Sequence, residues 1–128
     1  MKILIDTNAY SALMRGNEII AQHLEKAAIV YLSVVVAGEL LAGFKSGRKE
    51  QINRSILKDF IEKAGKTIVL PITLETAERF ASIKAALRKK GRPIPVNDIW
   101  LAAQCLETGA GILTLDTHFK KVEGLLLV

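Results

Sequence analysis

Four acidic residues stand where the surrounding chain is apolar or built of small side chains. Asp6 and Asp116 each follow a short strand-like run, Glu39 interrupts an apolar stretch, and Asp98 opens another. An unpaired buried charge is costly, so acids in such settings need partners. If the four carboxylates meet, they form the all-oxygen site that a hard divalent cation prefers. The chemistry that this constellation indicates is metal-dependent cleavage of phosphodiester bonds.

Each acid also has an ordinary alternative role. Asp6 can be a turn or capping residue, and Asp116 can be a simple turn acid. Asp98 suits the first turn of a helix because it faces the positive end of the helix dipole. Glu39 is the hardest to explain in this way, because its neighbours in the sequence are apolar or small and offer no other polar group. Spacing alone does not decide between these roles and convergence.

Short polar residues beside the acids have two possible roles. Thr7, Asn8 and Thr114 can orient carboxylates or water around a metal, or they can cap helices. His118 can touch a phosphate, although a surface role is more typical of such a histidine. Trp100 is expected to pack in the interior.

Length and composition predict one domain spanning residues 1–128. Half of the residues are hydrophobic, which is enough for a core without disulfides. The single cysteine, Cys105, lies among apolar residues and is expected to be a buried thiol in a reducing compartment. The first apolar run is too short for a signal sequence, and we expect a soluble, cytoplasmic protein.

Positive charge is concentrated in the middle of the chain. Residues 45–92 hold 13 lysines and arginines against 5 acids, a local net charge of +8, whereas the remainder carries −3. The candidate acids all lie in the negative remainder. A basic surface beside an acidic pocket suits an enzyme that binds a polyanion. Arg88, Lys89, Lys90 and Arg92 form a compact run that can follow a phosphate backbone or simply be a solvated helix end.

Apolar patterning predicts short buried strands that alternate with helices. We expect strands at residues 2–5, 29–32, 67–70 and 112–115, and a fifth at the sheet edge over residues 125–128. The longest helix is predicted over 73–90, capped by Thr73, and another over 97–108. Ser33 is expected to cap the helix that follows the second strand. This alternation is typical of an α/β sandwich with a mainly parallel sheet. Binding crevices of such sheets lie at the carboxyl ends of the strands, where Asp6 and Asp116 fall.

Several other chemistries do not fit the residues present. There is no Cys/His cluster for zinc and no glycine-rich phosphate loop. A phosphoacceptor switch of the receiver type would require an acidic pair after the first strand and a lysine at the end of a late strand. Here the first strand is followed by one acid, Asp6, and the late strand by Asp116. The Asp-x-Asp pattern of phosphatases fails because position 8 is Asn8. A non-catalytic RNA-binding module remains an alternative that only an activity assay separates from an enzyme.

Taken together, these segments resemble the PIN-domain ribonucleases, and among them the VapC-type toxins of toxin–antitoxin pairs. The likeness spans nearly the whole chain and rests on the segments 3–8, 33–43, 95–103 and 113–119. It implies a PIN-like three-layer sandwich with about five short strands. It also implies one or two Mg²⁺ or Mn²⁺ ions held by Asp6, Glu39, Asp98 and Asp116, with Asn8 and Thr114 as supporting residues.

The resulting hypothesis is an endoribonuclease that hydrolyses RNA through these ions, leaving a 5′-phosphate and a 3′-hydroxyl. The resemblance further implies a homodimer that a small cognate antitoxin silences. A non-toxin PIN-domain nuclease of RNA processing is the alternative within the same family.

Overall fold

A sheet of four parallel strands, flanked by helices, organises the protein, whose 128 residues are all described by a computed structural model. The strand order is β3-β2-β1-β4, with β1 (Lys2–Ile5), β2 (Ile29–Ser33), β3 (Thr67–Leu70) and β4 (Gly111–Leu113). The helices are α1 (Thr7–Met14), α2 (Glu18–Lys26), α3 (Val34–Lys45), α4 (Glu50–Glu62), α5 (Leu74–Lys89) and α6 (Val96–Thr108), followed by a 3-10 helix (Thr117–Lys121). None of these helices combines the length and apolar character needed to cross a bilayer.

The predicted α/β sandwich with a parallel sheet is confirmed, but the predicted fifth strand is reduced to one bridge. Ile112 N–H donates to Leu126 O at 2.9 Å, and Val128 N–H donates to Ile112 O at 3.1 Å. Successive residues of a strand direct their backbone groups to alternate sides. All three residues of β4 are in register with β1, but Ile112 directs its N–H and C=O away from β1, so only Ile112 is available to the last segment.

β1 is the best-buried strand of the sheet. It pairs with β2 on one side and β4 on the other, and Ile3, Leu4 and Ile5 are at most 1 % exposed. A central parallel strand is covered on both faces, which is why its sequence is a continuous apolar run. Each such side chain stabilises the fold by about 1.5–3 kcal/mol. This strand therefore fixes the position of the residue that follows it, Asp6.

Helix caps predicted from the sequence are present. The Thr73 hydroxyl accepts from the Thr76 N–H, and the Thr76 hydroxyl accepts from the Thr73 N–H. The start of α5 is therefore a capping box. Ser33 caps α3 by accepting from Val35 N–H at 3.1 Å. These caps set the direction in which each helix leaves the sheet.

Tight connections place the first turn of α6 at the carboxyl edge of the sheet. Gly109 ends α6 in the left-handed region, with φ at 77°, and β4 begins two residues later. α6 therefore runs back along the sheet, which brings its N-terminus to the edge where β4 ends. Two contacts with α5 hold it there: the Trp100 ring stacks on Phe80 with centroids 4.0 Å apart, and Thr76 donates to Glu107 at 2.7 Å.

Gly109→Ala is expected to destabilise the protein by about 1 kcal/mol, because an L side chain is strained in the left-handed region. Gly43→Ala, in the interior of α3 where an added Cβ meets no atom within 4 Å, is the matched control and should stabilise by about 0.5–1 kcal/mol. Urea unfolding of the two variants measures the difference. Equal stabilities would contradict the role given to the Gly109 turn.

Candidate functional site

The carboxyl ends of three neighbouring strands create the candidate site. Asp6 follows β1, and Asp116 lies three residues beyond the end of β4. Glu39 is on α3, which leaves directly from β2, and Asp98 is in the first turn of α6. Because these elements begin or end at the same edge of a parallel sheet, their acids converge.

Asp6 is the most enclosed of the four acids, with 4 % of its surface exposed. Its Oδ1 accepts from the Ala9 N–H at 2.8 Å, so it caps α1, which is one of the two roles expected for it. Its Oδ2 accepts a short hydrogen bond from the Thr114 hydroxyl, which comes from the other side of the edge. Capping and membership of the acidic cluster are therefore combined in one residue.

Thr114 links two of the acids. Besides donating to Asp6, its hydroxyl oxygen accepts from the Asp116 N–H at 2.9 Å. Asp116 in turn caps the 3-10 helix, since its Oδ1 accepts from the His118 N–H at 3.0 Å. These contacts place Thr114 beside Asp6 and Asp116, and its supporting role at a metal stays a prediction.

Glu39 reaches the site from an exposed position on α3. Its Oε1 accepts a hydrogen bond of 2.6 Å from the Thr7 hydroxyl, which stands next to Asp6. Thr7 and Glu39 are 32 positions apart in the chain, so this contact depends on the docking of α1 beside α3. The contact directs the Glu39 carboxylate toward the acids that follow the strands.

Burial and neighbouring negative charge raise the pKa of two of the four acids. The pKa of Asp6 is raised above its ordinary value, chiefly by burial and further by the charges of Asp98 and Asp116, against hydrogen bonds that lower it. The pKa of Asp98 is also raised, again chiefly by burial, with added repulsion from Asp116 and Glu39. Every one of the four therefore feels at least one other member of the cluster.

His118 is the residue that sequence reasoning undervalued. Its Nδ1 lies 3.2 Å from Asp98 Oδ2 and 3.0 Å from Asp116 Oδ1, so the side chain borders the cluster although 40 % of it is exposed. The signal in the sequence is its position two residues after Asp116, which a single turn of 3-10 helix converts into a contact. The interaction with Asp98 spans 20 positions and has no local signature.

The chemistry of the donor set fits a divalent cation. No lysine or arginine forms an ion pair with Asp6, Glu39, Asp98 or Asp116. Asp98 and Asp116 are 19 % and 22 % exposed in their side chains, so their oxygens are accessible from solvent. Clustered carboxylates whose one basic neighbour is His118 are destabilising unless a cation neutralises them, and oxygen ligands are those that Mg²⁺ and Mn²⁺ accept.

Other residues singled out in the sequence lie at or away from this edge. Asn8 is on the first turn of α1 with an exposed side chain that makes no hydrogen bond within the chain, so its supporting role stays a prediction. Trp100 packs as expected, and Cys105 is a core residue 1 % exposed, whose thiol pKa is raised by burial to about 12. A thiol with that pKa stays protonated and unreactive near neutrality.

The basic run lies at the end of α5 and in the connection to α6. Arg88, Lys89, Lys90 and Arg92 are all exposed, and only Lys90 has an ion-pair partner, Glu123 at 3.6 Å. Arg92 and Asp98 are six positions apart in the chain, which limits their backbones to a separation of roughly 22 Å. The run is therefore close enough for one nucleic-acid strand to touch both regions.

Comparison with known proteins agrees with this fold. The PIN domain family model matches residues 3–125, and the chain belongs to the PIN-domain family. It is 31 % identical over 127 residues to Ribonuclease VapC1 of Rickettsia felis, covering 98 % of this chain and 93 % of that protein. The resemblance to VapC-type PIN proteins is confirmed.

Two solved structures show the shared fold. In the crystal structure of VapBC2 from Rickettsia felis bound to a promoter DNA fragment, one chain matches with a TM-score of 0.88 at 23 % identity, covering 100 % of this chain and 98 % of that one. VapBC-5 of Mycobacterium tuberculosis, a member of the VapBC family of toxin–antitoxin systems, has a chain that matches with a TM-score of 0.70 at 22 % identity, covering 99 % and 98 %.

Metal-free protein should lose stability as the pH rises from about 4 toward neutrality. The raised pKa values mean that the folded state holds protons on Asp6 and Asp98 more tightly than the unfolded chain, so this contribution is complete below the unfolded pKa and lost as the pH passes the folded one. Asp6→Asn cannot ionise at that position. Its unfolding free energy, minus that of the unmodified protein, should therefore grow with pH.

Urea unfolding in EDTA across this pH range measures that difference. Glu62→Gln is the control, because Glu62 is exposed and makes no ion pair. A difference for Asp6→Asn that stays constant or shrinks with rising pH would show that Asp6 is not held in a repulsive setting.

Proposed function

We propose that this protein is a metal-dependent endoribonuclease and the toxin component of a type II toxin–antitoxin pair. The observation that carries the proposal is the gathering of four carboxylates, without a lysine or arginine among them, at the binding edge of a PIN-domain sheet. The similarity to a VapC ribonuclease, which covers nearly the full length of both proteins, supports RNA as the substrate.

Asp6, Glu39, Asp98 and Asp116 are the residues that would hold Mg²⁺ or Mn²⁺, as one ion or two. When bound, such an ion stabilises charge on the phosphate and lowers the pKa of water so that hydroxide forms near neutrality. Hydrolysis by this route gives a 5′-phosphate and a 3′-hydroxyl. This is the chemistry expected of a hard cation in an all-oxygen pocket.

The chain contributes orientation before any ligand arrives. Thr114 and the Ala9 N–H hold both oxygens of Asp6, and Thr7 holds one oxygen of Glu39. Because these donors fix the carboxylates, less rotational freedom is lost when a cation and a phosphate bind. The burial of Asp6 also lowers the local polarity, which strengthens its electrostatic contribution.

The alternative within the family is a PIN-domain nuclease that processes RNA and has no antitoxin. A non-catalytic RNA-binding module would need the acids for structure alone, yet Glu39 is exposed and makes no ion pair that would give it such a role. The acidic cluster thus favours a nuclease over a binding module, while the choice between toxin and processing enzyme depends on growth experiments.

Purified protein should cleave single-stranded RNA in the presence of Mg²⁺ or Mn²⁺, and the cleavage should stop when EDTA is added. Asp116→Asn should lower the rate by at least about 100-fold, since loss of a charge acting on the transition state costs on the order of 3 kcal/mol or more. The control is Glu62→Gln, measured by the same gel assay. Full cleavage by a folded Asp116→Asn protein would remove Asp116 from the site.

Replacing Arg88, Lys89, Lys90 and Arg92 by Gln should weaken RNA binding about equally for all sequences. The slope of log K against log salt should flatten by about 0.7 for each phosphate of a single strand that the protein no longer neutralises. Lys58→Gln with Lys63→Gln is the control, because Lys58 is on α4 and Lys63 directly follows it, and α4 packs beside β3 at the far edge of the sheet. An unchanged slope in the four-site variant, measured by fluorescence anisotropy, would assign this run to solvent or to a partner.

A small antitoxin and a second copy of the chain are the proposed protein partners. Large apolar side chains are exposed on and after the edge strand β3, with Ile68 at 45 %, Val69 at 40 % and Leu74 at 80 %. Apolar exposure of this kind marks protein contacts, here assigned to a homodimer. An arginine from an antitoxin could pair with the unpartnered carboxylates and compete with the metal.

Expression of the protein alone should arrest growth of a bacterial host, and Asp116→Asn should relieve the arrest. Co-expression of the small protein encoded beside it should restore growth, and the two should purify together. Colony counts after induction, with protein levels matched by immunoblot, provide the measurement. Harmless expression of an enzyme that is active in vitro would favour the RNA-processing alternative.

A further inference from the structure

His118 places one ring nitrogen against two carboxylates of the site. Its Nδ1 is near two carboxylate oxygens at once, 3.0 Å from Asp116 and 3.2 Å from Asp98. An imidazole Nδ1 carries at most one proton, so it makes one full hydrogen bond at a time. The ring hydrogen bond is with Asp98, while Asp116 Oδ1 already accepts from the His118 backbone N–H at 3.0 Å.

Three potential ligand atoms meet at this point. One oxygen each from Asp98 and Asp116, together with a ring nitrogen of His118, lie within 4.8 Å of one another. They come from the first turn of α6 and from the segment after β4, so the grouping is made by the fold. Small side-chain rotations would let one cation take the place of the proton on Nδ1 and contact all three atoms.

The nitrogen changes which cation this grouping favours. Mg²⁺ prefers oxygen ligands in near-ideal octahedral geometry and retains several waters. Imidazole nitrogen binds first-row transition ions better, with affinity rising from Mn²⁺ through Co²⁺. A site with two carboxylates and one imidazole should therefore show larger differences in affinity between these ions than a site with four carboxylates.

The geometry points to His118 as a third protein ligand, beside Asp98 and Asp116, that makes the site bind Mn²⁺ or Co²⁺ more tightly than Mg²⁺. The inference rests on the proposed divalent-cation site and goes beyond it by assigning the imidazole and the choice of ion. A competing role is available through Nε2, which has no hydrogen-bond partner in the chain and could meet an RNA phosphate. That role would leave metal binding unchanged when His118 is replaced.

His118→Asn is the discriminating variant. The amide of asparagine can still donate to Asp98 and Asp116, but it does not replace imidazole as a ligand for transition ions. His23, the other histidine of the chain, lies on α2, and His23→Asn is the matched control. Thermal melting of each variant without metal verifies that the fold is intact.

Two measurements without RNA test the inference. Calorimetric titrations should show Mn²⁺ affinity falling by about 10-fold or more in His118→Asn, with Mg²⁺ affinity and the His23→Asn control unaffected. Electron spin-echo modulation of the Mn²⁺ complex should show a nitrogen coupling that changes on ¹⁵N-histidine labelling. The coupling should persist in His23→Asn and vanish in His118→Asn.

The possible failures are distinct. If Mn²⁺ binds and Asp98→Asn weakens it, but no histidine coupling appears or both ions weaken equally in His118→Asn, the ligand assignment is wrong and the carboxylate site stands. If His118→Asn changes RNA affinity alone, the phosphate role replaces the ligand role. If neither Mn²⁺ nor Mg²⁺ binds the unmodified protein, the proposed function itself fails.

Discussion

The enclosure of neighbouring carboxylates at one edge of the sheet is the constraint on which the arrangement of this protein depends. Burial and neighbouring charge raise the pKa of Asp6 and of Asp98, so ionising them in the folded state carries a cost. The hydrophobic burial of β1 and its neighbours must offset that cost. Leu4 and Ile5, which directly precede Asp6 in the chain, are fully buried.

Hydrogen bonds from short polar groups orient the acids without neutralising them. The donors to Asp6 and Glu39 are hydroxyls and a backbone N–H, which leave the negative charge in place. A lysine or arginine in the same positions would lower the repulsion but would also compete with a cation. The orientation of the Asp6 and Glu39 carboxylates depends on how separate elements dock.

The distribution of charge gives a physical order to ligand binding under the proposed function. A polyanion is attracted to the basic middle of the chain but repelled by the acidic edge until a cation neutralises it. Metal and RNA should therefore favour each other's binding. For the same reason a cationic side chain from a partner would be an effective inhibitor. It would pair with the carboxylates and leave no positive charge at the site to bind a phosphate.

Local sequence determined the secondary structure of this protein and the identity of the acids. Apolar runs located the strands, Thr73 and Ser33 marked helix starts, and Asp6 and Asp116 were recognisable because they follow strands. These features depend on burial and on backbone hydrogen bonding within a few residues. The family likeness then supplied the expectation that the four acids share one site.

Only the tertiary structure decided how those acids are held. Thr114 and Asp6 are 108 positions apart, and they meet because β4 pairs with β1. The inward Nδ1 of His118 and the Thr7–Glu39 contact likewise depend on how separate elements dock, which no local pattern records. The last strand was overpredicted for the same reason: its residues suit a strand, but β4 offers them a single partner, Ile112. Patterns along a chain indicate which residues are buried, whereas the order of strand pairing decides which distant residues touch.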